Sequence, residues 1–383
     1  MNKVKVLFVV AEFFKGGAER LAYEMDCALD KNKYEIFILC IESKDNKNSK
    51  WQRYYDQKHL ELGTKIYYID DFLAKVKSDL FSRVYRKIFK VKKTSNFKME
   101  KLAAFLSSFD LIHWMGEYTF IPNLPESIVR KSLINSMSAK FQNPDLYKKF
   151  DFDYPYNFMS GFSENEFEFE YSQFKKINHW FFPLVLKIEK EQKDWTYIDS
   201  KVKKIGIFTR LDKYKPLDPF FYSFQLLLEK LPNTELHIFG TGDPEIEGVN
   251  HYLRNLELSE KVFFRGHQED IVKTVLAEHI DLSWFQGYNN DRPAGYAGFD
   301  ICSTGLPLLC WDFFEKPITS ENKIYPHYKN LTKFVDRSVK ILTDAEQANE
   351  LSTLQFEDVV QNRDVKKIIV VLDNVYKDVL AQK

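Results

Sequence analysis

At 383 residues the chain is longer than one ordinary hydrophobic core organises and suits two domains. Apolar residues make up 44% of it and aromatics 16%, which excludes global disorder. Lys plus Arg equals Asp plus Glu at 55 each, so no overall field favours nucleic acid as a partner.

The opening "MNKVKVLFVV" reads as a first β-strand and not as a signal peptide. Its apolar run is short, is followed by Glu12 and Lys15, and lacks a small-residue cleavage site. A helix is expected from Ala18 to Ala28, then strands at "YEIFILC", "KIYYID", "FDLIHWM" and "SLINSM". Short β-branched or aromatic runs separated by amphipathic stretches are the pattern of parallel strands with crossover helices. From about residue 140 to 175 the pattern loosens into a stretch rich in aromatics and acids. The charged stretch from Glu189 to Ser200 is taken as the domain junction.

The alternation restarts at "KKIGIFTR". A helix at "FFYSFQLLLEKL", a strand at "ELHIFG", a helix at "IEGVNHYLRNL" and a strand at "KVFFRG" follow. Then come the helix "EDIVKTVLAEH", the strand "IDLSWF", the helix "GFDICSTG" and the strand "LPLLCW". The final stretch from Arg363 has apolar residues at helical spacing and should dock as a terminal helix. The expected fold class is therefore α/β, with two Rossmann-like doubly wound domains facing a cleft. Residues 1–190 form the first domain, 191–362 the second, and 363–383 a helix packing back on them.

No apolar run reaches the roughly 18 residues that a spanning helix needs. Cys27, Cys40, Cys302 and Cys310 show no CxxC spacing, three or more of them lie in apolar runs, and they read as buried thiols of a reducing, cytoplasmic compartment.

Ligands of such sheets bind at the carboxyl ends of strands, so four strand-to-helix connections carry the candidate chemistry. In "EFFKGGAERLAYEM", Gly16 and Gly17 allow a tight turn before a helix whose amide end favours negative charge. The GxGxxG of dinucleotide binders and the GK[ST] of a P-loop are both missing there. In "FTRLDKYKPLD", Arg210 offers a planar fork to phosphate oxygens and Lys215 a compact charge on a flexible stem. "LHIFGTGDPE" places Gly240 and Gly242 at a strand end. "WFQGYNNDRPAGYAGFDICSTGLP" brings Gly287, Gly295 and Gly298 before a short helix carrying Asp300, whose carboxylate suits hydroxyl donors. "DFD" at 151–153 matches a DxD metal motif by letters only, and no cluster has zinc spacing, so no metal is expected.

Together these stretches resemble the motif set of family 4 glycosyltransferases of the GT-B fold, in order, over about 350 residues. "GGAE" at 16–19, "TRLDKYKP" with Arg and Lys five residues apart, "LHIFGTG" and "DICSTGLP" carry the resemblance. It implies a metal-independent glycosyltransferase moving a sugar from a nucleotide-sugar donor, with retention, to a surface-glycan or lipid-linked glycan acceptor. In that resemblance Arg210 and Lys215 stabilise the diphosphate leaving group, without any cofactor. Asp300 holds the ribose, and His267, after "VFFRG", lies where the nucleobase is received. Gly16, Gly17, Gly240, Asp291, Arg292 and Gly295 complete the implied donor site.

The departures concern specific residues. The family's first acid, eight positions before Asp300, is replaced by Arg292, with Asp291 beside it. An arginine there implies either a donor sugar with an altered group or a slot no longer used. A catalytically silent subunit that stabilises a partner transferase is the alternative, and a sugar-nucleotide epimerase the third reading. Many relatives have a histidine at the position of "LINSMSAKF", where this chain has Asn135, Ser136 and Ser138, so His113 and Glu117 stand as nearby candidates. Finally, "RVYRKIFKVKK" at 83–93 interleaves cations with apolar residues, the pattern of a peripheral contact with a membrane surface.

Overall fold

Strands covered on both faces by helices cannot alternate polar and apolar residues, and the first strand shows the consequence. In β1 (Val4–Val10) the five residues from Val6 to Val10 are all buried. The structure is a computed structural model and describes residues 3–44, 53–72, 99–137, 147–161, 166–167, 171–211, 215–314 and 317–382. The basic segment 83–93 and Ser138 lie outside the described residues. The chain divides into Met1–Lys187 with Val365–Lys383, hereafter unit 1, and Ile188–Asp364, unit 2.

In unit 1, β1 is followed by α1 (Gly17–Ala28), β2 (Tyr34–Cys40), α2 (Tyr55–Glu61), β3 (Lys65–Tyr68), α3 (Met99–Ser107) and β4 (Leu111–Met115). Helix α4 (Glu126–Val129), β5 (Ser132–Ser136), β6 (Tyr156–Ser160) and β7 (Ile177–Phe181) complete the series. The strands form one parallel sheet in the order β3-β2-β1-β4-β5-β6-β7. The stretch around 140–175, where the sequence pattern loosens, contributes β6. Its aromatics are core: Phe150, Tyr156, Phe158, Phe167, Tyr171 and Phe174 are buried in one cluster with Leu7 and Trp114. Edge contacts such as Phe158–Phe174, with centroids 5.4 Å apart, pack them without regular periodicity. Within the stretch, Asp151 and Asp153 are exposed in a turn, and Asp153 pairs with Lys175 at 2.8 Å.

A buried polar node ties α1 to α2. The Asp26 carboxylate, fully buried, accepts from His59 Nδ1 at 2.7 Å and Thr64 Oγ1 at 2.7 Å, and Lys31 pairs with it.

Unit 2 opens with the charged stretch taken as a junction, but that stretch is anchored. Trp195 is buried and donates its indole N–H to Ile280 O at 2.9 Å, and the Trp195 backbone N–H reaches Thr304 O. Then follow β8 (Lys203–Phe208), α5 (Asp218–Lys230), β9 (Thr234–Phe239), α6 (Val249–Asn255), β10 (Val262–Gly266) and α7 (Ile271–Ala277). Next come β11 (Leu282–Tyr288), β12 (Arg292–Pro293), α8 (Tyr296–Cys302), β13 (Leu308–Asp312), β14 (His327–Tyr328), α9 (Leu331–Thr343) and α10 (Ala345–Asn362). The sheet order is β10-β9-β8-β11-β13-β14, all parallel, with β12 turned back antiparallel on β11.

The last helix, α11 (Val365–Ala381), belongs to unit 1. Leu372, Val375, Tyr376 and Val379 are buried, and Asp373 accepts from the Tyr34 hydroxyl at 2.7 Å. Of the cysteines, Cys40, Cys302 and Cys310 are buried, as expected for three or more of them, and Cys27 is exposed on α1.

Candidate functional site

In each sheet the strand order reverses next to its first strand, between β1 and β4 in unit 1 and between β8 and β11 in unit 2. Such switch points leave a crevice at the carboxyl ends, because the connections depart in opposite directions. The candidate residues of unit 2 collect at its switch point and the strand ends beside it.

Arg210 stands two residues past the end of β8 and is exposed. Lys215, half-buried, lies three residues before α5. Both belong to one strand-to-helix connection, and each interacts with neighbouring groups. Residues 212–214 between them lie outside the described residues.

On the other side of the switch point, β11 pairs with β8 through Leu282↔Ile205 and Ser283↔Gly206. β11 then runs on to Tyr288 while β8 stops at Phe208, so β11 projects about 10 Å farther. At its tip the chain turns through Asn289 and Asn290, both left-handed with φ of 55° and 51°, and returns as β12. Asparagine tolerates that conformation better than most residues with a Cβ. Arg292 is buried and ion-paired with Asp291, whose side chain is 48% exposed. Thus the arginine that replaces the family's acid has its charge matched by the neighbouring carboxylate. Gly295, with φ of 118°, starts α8, where Asp300 is buried. Gly298 is inside that helix and not before it, and a Cβ there would overlap Pro293.

Gly240 has a packing duty. A Cβ at this residue would overlap the Thr209 carbonyl, and the Gly240 N–H donates to Gly266 O at 2.8 Å. Leu211 N–H donates to Thr241 O at 2.7 Å, so the loops after β8, β9 and β10 lie backbone against backbone. The glycine at 240 thereby holds Arg210 in register. Replacement by alanine forces the loops apart and should cost about 1–3 kcal/mol, read as a lower midpoint in urea unfolding. His267 is exposed immediately after β10.

In unit 1, Gly16 precedes α1 with φ of −114° and Gly17 opens the helix. A Cβ at Gly16 would overlap the carboxylate of Glu19, which folds back over the helix start. Burial, then the charge of Glu12, push the Glu19 carboxyl up to about 7, against the opposing bond from its own backbone N–H. A carboxyl that exchanges its proton near neutrality beside a glycine turn can donate or accept a hydrogen bond. Glu19 therefore joins the candidate residues, although it is not among those the motifs single out. Its signal was present, as the acid of "GGAE".

His113 is a different matter. It is fully buried in β4, its Nδ1 lies 2.8 Å from the Tyr376 hydroxyl of α11, and Phe8 packs edge-on at 5.5 Å. Burial lowers its pKa to about 3. It is a neutral core imidazole that fixes α11 to the sheet, and solvent does not reach it. Glu117, half-buried after the same strand, accepts from Thr119 N–H at 2.7 Å. Asn135 and Ser136 are buried at the end of β5. Among the described residues no group of three or more His, Cys, Asp or Glu could hold a metal ion.

No protein-family model matches the chain. The poly(glycerol-phosphate) alpha-glucosyltransferase of Bacillus subtilis (strain 168) is 27% identical over 120 residues, a stretch that spans 30% of this chain and 16% of that protein. Solved structures match throughout. HepE from Anabaena, in complex with UDP and glucose, gives a TM-score of 0.66 at 11% identity, covering 98% of this chain and 100% of its own. A mutant of S. aureus TarM, in complex with UDP, Fondaparinux and alpha-GlcNAc-glycerol, gives 0.66 at 11% identity over 97% and 99%. A glycosyltransferase from Rickettsia africae ESF-5 gives 0.68 at 13% identity over the whole of both chains. With two doubly wound parallel sheets in series and these neighbours over its full length, the chain has the GT-B fold of the nucleotide-sugar glycosyltransferases.

Proposed function

We propose that the protein is a glycosyltransferase that takes a sugar from a nucleotide-sugar donor and adds it to a surface-glycan or lipid-linked glycan acceptor. The observation that carries this reading is the connection after β8, which puts Arg210 and Lys215 at the switch point of unit 2. The motif order along the chain and neighbours that hold UDP support it.

Glycosyl transfer breaks the bond between the anomeric carbon and a diphosphate oxygen, and negative charge grows on that oxygen as the bond opens. A guanidinium and an ammonium fixed at the diphosphate stabilise this charge more in the transition state than in the ground state. The reading assigns that task to Arg210 and Lys215, with no metal ion required. Asp300 accepts from the ribose hydroxyls, and the exposed carboxylate of Asp291 takes the sugar hydroxyls in place of the family's acid. Glu19, whose carboxyl burial pushes up to about 7, is assigned to the acceptor side as a group able to hold a proton near neutral pH. Retention of configuration follows the family resemblance. Contact of segment 83–93 with a membrane surface would bring the protein to a lipid-linked acceptor. Among the described residues no helix is long and apolar enough to cross a membrane.

A thermal-shift screen against nucleotide sugars tests the reading. A ligand at 100 times its Kd stabilises by about 2.7 kcal/mol, which raises Tm by about 5–10 °C for a unit of this size. No shift with any nucleotide sugar, and no donor consumed in the presence of glycan acceptors, would overturn it.

A further inference from the structure

The hairpin that carries Asp291 and Arg292 is braced by three side chains from neighbouring strands and connections. Asp312, ending β13, accepts from Asn290 N–H at 2.6 Å. Asn322 donates through Nδ2 to Asn290 O at 3.0 Å and to Asp291 O at 3.1 Å. His327 on β14 holds its Nε2 3.2 Å from Arg292 O. The turn gains from such support, since left-handed backbone at two consecutive residues is disfavoured even where asparagine lowers the penalty.

Of the three braces, His327 has the ordinary titration range closest to neutrality. Its second nitrogen, Nδ1, is 2.5 Å from Tyr325 O. Both partners are carbonyl oxygens, which only accept hydrogen bonds. A neutral ring carries one proton and serves one of them, whereas an imidazolium serves both. The ring is seated against β11 and β13. A Cβ at Gly287 would overlap the ring, and Cys310 is its register partner. The charged groups facing it are Asp312 of β13, which favours the imidazolium, and Arg292 of β12, which opposes it. β11 offers only Gly287 at this point, the Cys310 thiol stays neutral, and Arg337 of α9 acts on Tyr328.

We propose that His327 is a positioning residue for the Asp291–Arg292 hairpin, and that protonating its ring fastens the hairpin through an Nε2–H bond to the Arg292 carbonyl. The bond from Nδ1–H to Tyr325 O persists in both states. Its consequence for donor binding rests on the proposed function; the latch itself does not.

Burial holds the proton affinity of His327 below its ordinary value, so the latch closes on the acid side of about pH 6.5. Because the folded pKa is depressed relative to the unfolded one, the same protonation lowers global stability as pH falls. The cover over the ring comes from β11 and β13, which remain when the hairpin lifts, and of the two effects the hairpin has on the ring, the Nε2 bond to the Arg292 carbonyl outweighs the opposing Arg292 charge. Local and global stability should therefore move in opposite directions with acid.

Hydrogen exchange of the full chain, read by mass spectrometry between pH 8 and 5 and corrected for intrinsic rates, tests this. Protection of the Asn290, Asp291 and Ala294 amides is expected to rise about five-fold towards pH 5 in the wild type. In His327→Gln, whose amide does not titrate, protection should be flat with pH. His327→Asn, whose shorter amide retains only the Tyr325 contact, should be flat and lower. Wild-type protection that is flat or falls with acid, or a His327→Gln profile that tracks the wild type, overturns the proposal. The readout uses no substrate. A responding hairpin in a protein that binds no nucleotide sugar upholds the latch while sinking the proposed function. Where donor turnover is measurable, the wild-type KM for donor should fall with acid relative to His327→Gln, with the kcat ratio unchanged.

Discussion

Arg210→Ala and Lys215→Ala should each lower kcat by about 10²–10³-fold with nucleotide-sugar donors, while the urea midpoint stays near the wild-type value. The reasoning compares two magnitudes. Arg210 is exposed and Lys215 half-buried, so their contribution to folding is small, as for other cations near solvent. Their contribution to transfer is large because the charge they meet develops only as the glycosidic bond opens. Neutral amides of similar length, in Arg210→Gln and Lys215→Gln, keep shape and lose charge, and should fall nearly as far. Arg210→Lys keeps the charge and loses the planar fork, so it should retain intermediate activity. The measurement is steady-state kinetics with the donor found in the thermal screen. Wild-type turnover in both alanine variants would remove this connection from the mechanism. A rise in KM alone would reassign the two cations to ground-state binding.

Asp26→Ala should destabilise unit 1 by about 3–5 kcal/mol. The Asp26 carboxylate has no exposure and gathers His59, Thr64 and Lys31 around it. His59 donates from Nδ1, since a carboxylate only accepts. Truncation strands the buried His59 and Thr64 donors, whereas Lys31, with 42% of its side chain exposed, can turn to water. Asp26→Asn keeps an acceptor and should cost less. Burial alone would raise the Asp26 pKa, but the bond from His59 and the charge of Lys31 outweigh it, and the net direction is downward. A depressed carboxylate pKa gives stability that is present above the unfolded value of about 4 and lost as pH falls through the folded value. The wild-type urea midpoint should therefore drop below about pH 4, and Asp26→Asn should flatten that acid limb. An Asp26→Ala midpoint equal to that of the wild type would show that the node contributes nothing net.

Much of the fold is written in runs short enough to be read locally. "VKVLFVV", "YEIFILC" and "ELHIFG" form parallel strands because nothing but a doubly covered sheet buries them. Glycines after the first and third of these runs mark where those strands hand over to helices. β6 was not legible, since its stretch packs by irregular aromatic edges and alternates no pattern at period two. The candidate site was legible by connection and not by contact: Arg210, Lys215 and Asp291 lie on strand-end connections, Arg292 on β12 and Asp300 in α8, all within the stretches whose motifs name them. What those residues touch did not follow. The ion pair of Arg292 with Asp291, and the return of Glu19 over Gly16, depend on side-chain directions that spacing does not encode.

The chain alone determined that there are two parallel sheets, most of their strands, and the strand-to-helix connection that presents two cations. Each of these follows from hydrophobic period and turn chemistry within about 15 neighbouring residues. Only the tertiary structure decided that His113 is a core imidazole under Tyr376, that Gly240 makes room for Thr209, and that His327 reaches the Arg292 carbonyl. Those pairs lie far apart in sequence, and what joins them is sheet register and close packing. A contact of that kind exists only once every strand between its partners has been laid down.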